Sequence, residues 1–340
     1  MHVYAAADRI QWIMTGTEEK FCSQAEFDEA CLLRRKYWGR KVFLRAIVEF
    51  SNHCSQNCLY CGLRRDNPGI KRYRLEYEQI YACAVLAKRL EMGTVVLQSG
   101  EDQWYSGQAL ADLIFRIKSE LGLAVTLSLG ERKRAEYALW REAGADRYLL
   151  KMETWDAKTY ARLRPGRKLE ERLESYMALA ELGYETGSGI IAGLPGDTED
   201  SLRQTCLRLA ALKPDMLSIS PFVPHPASPL REHPGLDAET TLQVMALARI
   251  AAPTAHIPVT SALGLQGDVV RLRALEVGDV LMPSLTPAKV REDYAIYAGK
   301  NRQAAMPEER AAAMRGLVLE AGFTLPSGAG SAWRKSGSAR

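Results

Sequence analysis

Eight short apolar runs rich in β-branched residues, each followed by a segment with helical apolar spacing, set the tightest limit on what this chain can fold into. The runs occupy residues 42–49, 94–98, 124–129, 147–152, 186–192, 216–222, 257–261 and 277–282. Helical spacing is clearest at 77–90, 107–121, 134–143, 169–182, 198–212 and 239–250; a short helix-like piece follows the seventh run at 268–275, and another follows the eighth at 288–297. Strands that alternate with helices pair in parallel through right-handed crossovers. Eight such units predict an α/β fold: a single closed (β/α)8 TIM-type barrel. A doubly wound open sheet competes, but the glycine fingerprint it carries after its first strand is missing. Residues 1–41 read as an N-terminal helical cap, 42–325 as the barrel and 326–340, rich in Gly and Ser, as a mobile tail.

Composition narrows the function. The 340 residues are 47% hydrophobic and 25% charged, an ordinary globular balance. A net charge of +4 gives no reason to expect nucleic acid as a partner, and no apolar run reaches membrane-spanning length. The start, Met1-His2-Val3-Tyr4, has neither the basic region nor the apolar stretch of a secretory signal, so a cytoplasmic location is expected. In that compartment seven cysteines are not read as disulfides, and any close group of them is read first as a metal or redox centre.

Such a group is Cys54-Ser55-Gln56-Asn57-Cys58-Leu59-Tyr60-Cys61, a C-x3-C-x2-C run directly after the first strand. Three thiolates this close can converge on one inorganic centre, and on a 4Fe–4S cluster they leave one iron open. A zinc site would need a fourth ligand, for which His53, adjacent to Cys54, is awkwardly placed. Three coincidental core thiols are the remaining alternative. Cys22, Cys31, Cys83 and Cys206 lie on helical patterns and have no metal spacing.

In a barrel, chemistry sits where strands end. The second run ends Gln98-Ser99-Gly100-Glu101-Asp102: Gly100 permits close backbone approach and the carbonyls there can receive an ammonium, or the segment is a plain turn. Thr126 and Ser128 share one face of the third run, and Lys151 and Glu153 one face of the fourth. The latter two form either a mutual salt bridge or a site for a zwitterion. Arg172 meets a ligand carboxylate or lies on a solvated face. Thr260 and Ser261 end the seventh run with hydroxyls suited to a carboxylate, Met282 ends the eighth, and Tyr294 and Tyr297 follow. His225, among prolines, is an acid–base candidate or orders its loop.

The cysteine spacing, with Tyr60 before its third member, resembles the radical S-adenosylmethionine (SAM) superfamily. Gln98-Ser99-Gly100-Glu101-Asp102, Thr126-Leu127-Ser128-Leu129-Gly130-Glu131, Gly193-Leu194-Pro195-Gly196 and Pro221-Phe222-Val223-Pro224-His225-Pro226 further resemble the HydE group, radical SAM maturases of iron-only hydrogenases, over roughly residues 40–300. The resemblance implies one 4Fe–4S cluster on Cys54, Cys58 and Cys61, with SAM chelating the open iron and yielding a 5′-deoxyadenosyl radical on one-electron reduction. It implies that Tyr60, Ser99, Gly100, Glu101, Glu153, Arg172, Met282 and Tyr294 serve the cofactor, and that Gln98, Thr126, Ser128, Lys151, Thr260 and Ser261 serve the substrate. That substrate would be small, amino-acid-derived or organometallic: a cysteine-bound iron–carbonyl–cyanide precursor of the hydrogenase di-iron subsite. An external one-electron donor and other hydrogenase maturation proteins are the implied partners. Two departures stand out. Lys151-Met152 replaces the Arg-His of the group, and residues 300–306 carry no cysteines for a second cluster. The related methylornithine synthases, which rearrange lysine, are the alternative; a non-catalytic cluster carrier is the alternative from another class.

Overall fold

The alternation survives into three dimensions as a parallel α/β structure, seen in a computed structural model that describes residues 22–302 and 305–335. The first half of the expected N-terminal cap, residues 1–21, lies outside the described residues. Six strands form one parallel sheet in sequence order: β2 (Ala46–Ser51), β3 (Thr94–Ser99), β4 (Ala124–Ser128), β5 (Arg147–Leu149), β6 (Glu185–Ala192) and β7 (Met216–Pro221). A second, two-stranded parallel sheet pairs β1 (Phe43–Leu44) with β8 (Val280–Leu281). Isolated parallel bridges Met216–His256, Pro258–Val280 and Ile47–Ser284 run between the two sheets.

The helices are α1 (Gln24–Trp38), α2 (Tyr77–Arg89), α3 (Gly107–Arg116), α4 (Arg134–Glu142), α5 (Ala157–Leu163), α6 (Leu169–Glu181), α7 (Glu199–Ala211), α8 (Ala238–Ala251), α9 (Ser261–Gly264), α10 (Asp268–Leu275), α11 (Ala288–Arg291) and α12 (Pro307–Glu320). Their starts follow ordinary capping chemistry. Ser23 and Glu26 make a reciprocal capping box on α1, and the Ser106, Asp156 and Asp237 side chains accept from the first turns of α3, α5 and α8. One continuous apolar core lies between strands and helices, including Val48, Phe50, Val95, Leu97, Val125, Leu127, Ile190, Leu217 and Ile219. Each of these alternates with a neighbour on the opposite face of its strand, as the period of two requires.

Several expectations need correction. The run 257–261 is not a strand: Pro258 has no N–H to give a ladder, and Thr260 turns aside to cap α9, accepting from Leu263 N–H at 3.4 Å. The eighth strand shrinks to Val280–Leu281 between Gly278 and Pro283. The helix expected over 288–297 stops at Arg291 because its next carbonyls are taken elsewhere. Asn52 Nδ2 donates to Asp293 O at 2.7 Å and Gly62 N–H to Ile296 O at 2.9 Å. The end of the helix over 107–121 widens into a π-helical turn, Ile117–Leu121. Helices α5 and α12 carried no expectation.

The segment 326–335, expected within a mobile tail, is instead bound across the N-terminal ends of the strands. Ala329 O accepts from Thr94 Oγ1 at 2.8 Å and from Arg147 at 3.0 Å, and Gly330 O accepts from Arg45 at 3.0 Å. Gly93 lets it approach: a Cβ there would stand 1.9 Å from Gly328 O. Ala332 is buried, its N–H donating to Glu185 at 3.2 Å, and Arg334 pairs with Asp215 at 2.7 Å. Buried guanidinium groups need acceptors: Arg45 finds one on this segment, and Arg147, already paired with Glu185 at 2.7 Å, completes its set there. Residues 336–340 lie outside the described residues. Truncation after Leu325 is therefore expected to lower stability by about 2–5 kcal/mol, read as a fall in the urea midpoint. A tail without contacts would leave the midpoint unchanged.

Candidate active site

The chain leaves β2 into the cysteine loop, and the loop is pinned before any cofactor is considered. Ser51 Oγ donates to Asp102 at 2.7 Å, and Asn52, fully buried, donates from Nδ2 to Lys71 O at 2.8 Å as well as to Asp293 O. Further along, Ser55 N–H reaches Glu101 O at 3.0 Å and Leu59 N–H reaches Leu163 O at 2.8 Å. Gly100 fits against this loop because it has no side chain; a Cβ would lie 2.2 Å from His53 O and 2.8 Å from Cys54 Cβ. The close approach expected at Gly100 is thus to the cysteine loop itself.

Cys54, Cys58 and Cys61 all face one chamber of about 290 Å³. Cys54 Sγ accepts from Glu101 N–H and Cys61 Sγ from Leu63 N–H, each at 3.4 Å, which favours thiolates. Burial pushes the Cys54 thiol up to about 11, and burial with the neighbouring sulfurs pushes Cys61 higher still. Thiols held up in this way, as Cys54 and Cys61 are, ionise beside a strong positive centre. Among the described residues no three His, Cys, Asp or Glu side chains are gathered around a single ion. A 4Fe–4S cube takes each thiolate on a different iron, so the donor set fits a cluster better than one zinc ion.

Beside the loop lies a buried charge network. Glu101 accepts from Arg164 at 3.1 Å and Arg172 at 3.3 Å; Glu131 accepts from Arg172 at 2.9 Å and pairs with Arg167. Three guanidiniums against two carboxylates leave one positive charge over, and Arg164 Nε is buried without a partner. Across the chamber Glu153 has a left-handed backbone, φ 68°, held by ladder bonds to Gly189 O at 3.1 Å and from Ile191 N–H at 2.9 Å. Such a conformation stores about 1–3 kcal/mol of strain and aims the carboxylate inward. Lys151 Nζ stands 3.1 Å from Glu153 Oε2 as an ion pair, yet that buried oxygen receives no aligned hydrogen bond. A surplus cation with an orphan donor on one side and an orphan acceptor on the other suit a zwitterion such as the methionine end of SAM.

The structure brings nearly all the expected residues together. Tyr60, Gln98, Ser99, Gly100, Glu101, Ser128, Lys151, Glu153, Arg172, Thr260, Ser261, Met282 and Tyr294 all line the chamber. Lys151 and Glu153 pair with each other, as the salt-bridge reading expected, and both line the chamber. Arg172 is buried, donating from Nε to Lys151 O at 2.9 Å, so its solvated-face reading is excluded. Tyr294 OH receives Gln98 Nε2 at 3.0 Å. Ser99 Oγ turns back onto Gly100 O at 2.6 Å.

Thr126 is the correction. It is buried one layer below Ser128, its hydroxyl unpartnered, and it does not reach the chamber wall. Alternation gave the correct face but not the depth. His225 Nδ1 accepts from Ala227 N–H at 3.1 Å, the loop-ordering alternative. Missed altogether were Glu131 and Arg164 of the network, Ser218 and Ser220 on β7, and Lys300. Alternation along 216–222 carried a signal for the two serines; nothing local marked Lys300.

Comparison with known proteins agrees with this geometry. A family model described as the Radical SAM superfamily matches residues 48–209. The "[FeFe] hydrogenase maturase subunit HydE" of Thermotoga maritima is 47% identical over 279 residues, 82% of this chain and 80% of the relative. A 3-methylornithine synthase of Methanosarcina acetivorans is 31% identical over 75% of this chain and 73% of its own. The crystal structure of methylornithine synthase (PylB) superposes with a TM-score of 0.77 at 26% identity, over 89% of this chain and 88% of that one.

The charge network sets a pH signature. Burial alone would raise the Glu131 carboxyl, but Arg172, Arg164 and Arg167 outweigh it and hold it below its ordinary value. A carboxyl depressed in the folded state stabilises above its unfolded pKa of about 4.3 and loses that contribution as pH falls through the folded value. Glu131→Gln is expected to unfold about 1–3 kcal/mol more easily at neutral pH, with the gap closing as wild-type and variant are both taken into acid. Denaturant titrations across pH 2–7 check this; a gap that persists in acid contradicts it.

Proposed function

The chain belongs to the radical SAM superfamily, in the group that contains HydE and methylornithine synthase, and from that premise we propose that it is a HydE-type maturase acting in assembly of the di-iron subsite of iron-only hydrogenase. It is a radical SAM enzyme whose cofactors are one 4Fe–4S cluster and SAM. The observation that carries the finer reading is the 47% identity to HydE across four-fifths of both chains, joined to a chamber where the three cysteines meet the strand ends of this chain.

We read the isolated bridges from β7 through His256 and Pro258 to Val280, and from β1 and β2 to Val280 and Ser284, as closure of the eight-unit barrel over residues 42–325. The helix α1 would then belong to the N-terminal extension that packs on α8. When bound, the cluster and SAM supply a 5′-deoxyadenosyl radical by one-electron cleavage. The residues of this chain do the rest. Cys54, Cys58 and Cys61 would hold the irons; Arg164 and Arg172 would favour a carboxylate; the Glu153 acceptor suits an ammonium or hydroxyl. Tyr60, Met282 and Tyr294 close apolar and aromatic surface around them, and Gln98 holds the Tyr294 hydroxyl. Ser128, Lys151, Thr260 and Ser261, which line the chamber, would receive a cysteine-bound iron–carbonyl–cyanide fragment. The partners proposed are an external one-electron donor and other hydrogenase maturation proteins, in the cytoplasm. No helix among the described residues is long and apolar enough to cross a membrane.

A lysine rearrangement is the second reading, favoured by the methylornithine synthase match and by the ammonium of Lys151 where the HydE group has arginine. Anaerobic turnover separates the two. Consumption of SAM to 5′-deoxyadenosine coupled to the iron–cysteine fragment supports maturation, and coupling to L-lysine with a methylornithine product overturns it. Cys54→Ala, Cys58→Ala and Cys61→Ala are each expected to lose the brown cluster of about four irons and all 5′-deoxyadenosine. Cys83→Ala and Cys206→Ala, at buried positions outside the chamber, should keep both. Lys151→Ala is expected to lower coupled turnover about tenfold or more and uncoupled SAM cleavage much less; equal losses would move Lys151 to the cofactor side.

A further inference from the structure

A fully buried ion pair stands at the chamber wall and is not used by the chemistry described above. Glu49, at the end of β2, is wholly buried and Lys300 nearly so, with Nζ 3.0 Å from Glu49 Oε1. Both carboxylate oxygens of Glu49 are occupied away from the chamber. Oε2 accepts from Ser284 Oγ at 2.6 Å and Thr286 Oγ1 at 2.5 Å, and Oε1 accepts from Asn301 Nδ2 at 3.3 Å besides Lys300. The acid therefore offers the chamber no acceptor.

The ammonium is turned the other way. Lys300 lines the chamber and donates to Ser261 Oγ at 3.3 Å, and Ser261 Oγ lies 2.5 Å from Tyr297 OH. An ammonium can only donate, so the order of this chain is fixed at its head. Whichever hydroxyl donates across the 2.5 Å contact, the other keeps its own proton for the chamber, which both side chains face. Hydrogen bonds headed by a charge are stronger, and each link polarises the next. Beside the Lys300 ammonium, this wall thus always has one hydroxyl proton free to donate into the chamber.

We propose that Lys300, held by Glu49, is a positioning residue that polarises the Ser261–Tyr297 hydroxyl pair to receive the carboxylate of an amino-acid-derived substrate. This rests on reading the chamber as the substrate site, but not on which amino acid derivative enters it. The anchored carboxylate fixes one end of the substrate, and the Lys300–Glu49 pair fixes the anchor.

The test uses cluster-loaded enzyme with SAM bound, kept anaerobic, and two pairs of probes that differ by a carboxylate: L-cysteine against cysteamine, and L-lysine against cadaverine. Dissociation constants are read by calorimetry. Wild-type enzyme is expected to prefer the carboxylate-bearing member of at least one pair by about tenfold. Lys300→Met combined with Glu49→Gln removes both charges without stranding a buried carboxylate, and should bring that ratio near one while the amine-only probe binds as before. Ser261→Ala combined with Tyr297→Phe, which leaves the ion pair in place and removes both hydroxyls, should do the same and keeps the test alive if the charge-removing double variant does not fold. Lys300→Arg should restore part of the preference. No preference in either wild-type pair, or a preference that survives loss of both hydroxyls in the Ser261→Ala, Tyr297→Phe variant, overturns the proposal. A preference confined to L-lysine supports it while counting against the cysteine-based maturation reading.

Discussion

The chamber depends on one close approach, that of the turn after β3 to the loop after β2. Gly100 lies where any side chain would meet His53 O and Cys54 Cβ, and its neighbour Glu101 donates its N–H to Cys54 Sγ and accepts Ser55 N–H. Through that contact the backbone of one strand end fixes Cys54, the first cysteine of the loop. Through its side chain the same Glu101 gathers Arg164 and Arg172. The cysteine-loop side of the chamber is therefore organised by backbone geometry first and by charge second. This order makes physical sense, because a buried carboxylate can afford two guanidiniums only if its own position does not fluctuate.

The two ends of the chamber differ in electrostatic character. Beside the cysteine loop, three guanidiniums meet two carboxylates with the Nε atoms of Arg164 and Arg167 unpartnered, and Glu153 Oε2 receives no aligned hydrogen bond. Elsewhere on the wall, Lys300 and Lys151 each have a carboxylate partner, and hydroxyls at Ser261, Tyr297 and Ser220 extend their reach. A zwitterion suits the first wall and an acceptor group suits the second. Both walls are built on strand ends or on segments tied to them, which keeps the groups rigid enough to discriminate.

Much of this was legible in the chain. The period-two and helical patterns placed six paired strands and most helices, since each pattern reports a burial face that local sequence alone defines. Alternation also put Ser128, Lys151 and Glu153 on the inner face. It gave Thr126 the same face without its depth, because depth depends on how neighbouring strands are staggered. The run 257–261 looked like a strand by its apolar content, yet Pro258 and the capping role of Thr260 removed the ladder. The helix beyond residue 291 was lost for a different reason: Asn52 and Gly62, more than two hundred residues away in sequence, took its carbonyls.

The sequence by itself determined the cofactor chemistry, because three cysteines within eight residues meet in any fold that lets the loop close. It determined the inner and outer faces of the strands as well, because alternation is a local property. Only the tertiary structure decided which charges are partners. Glu49 and Lys300, or Glu101 and Arg172, meet through the register of distant strands and the course of the loops between them. Only it decided that residues 326–335 are bound, since what this segment offers Arg45 and Arg147 is backbone carbonyls that any residues could supply. Ligand spacing is written along the chain, whereas charge pairing and burial depth exist only once the strands are side by side.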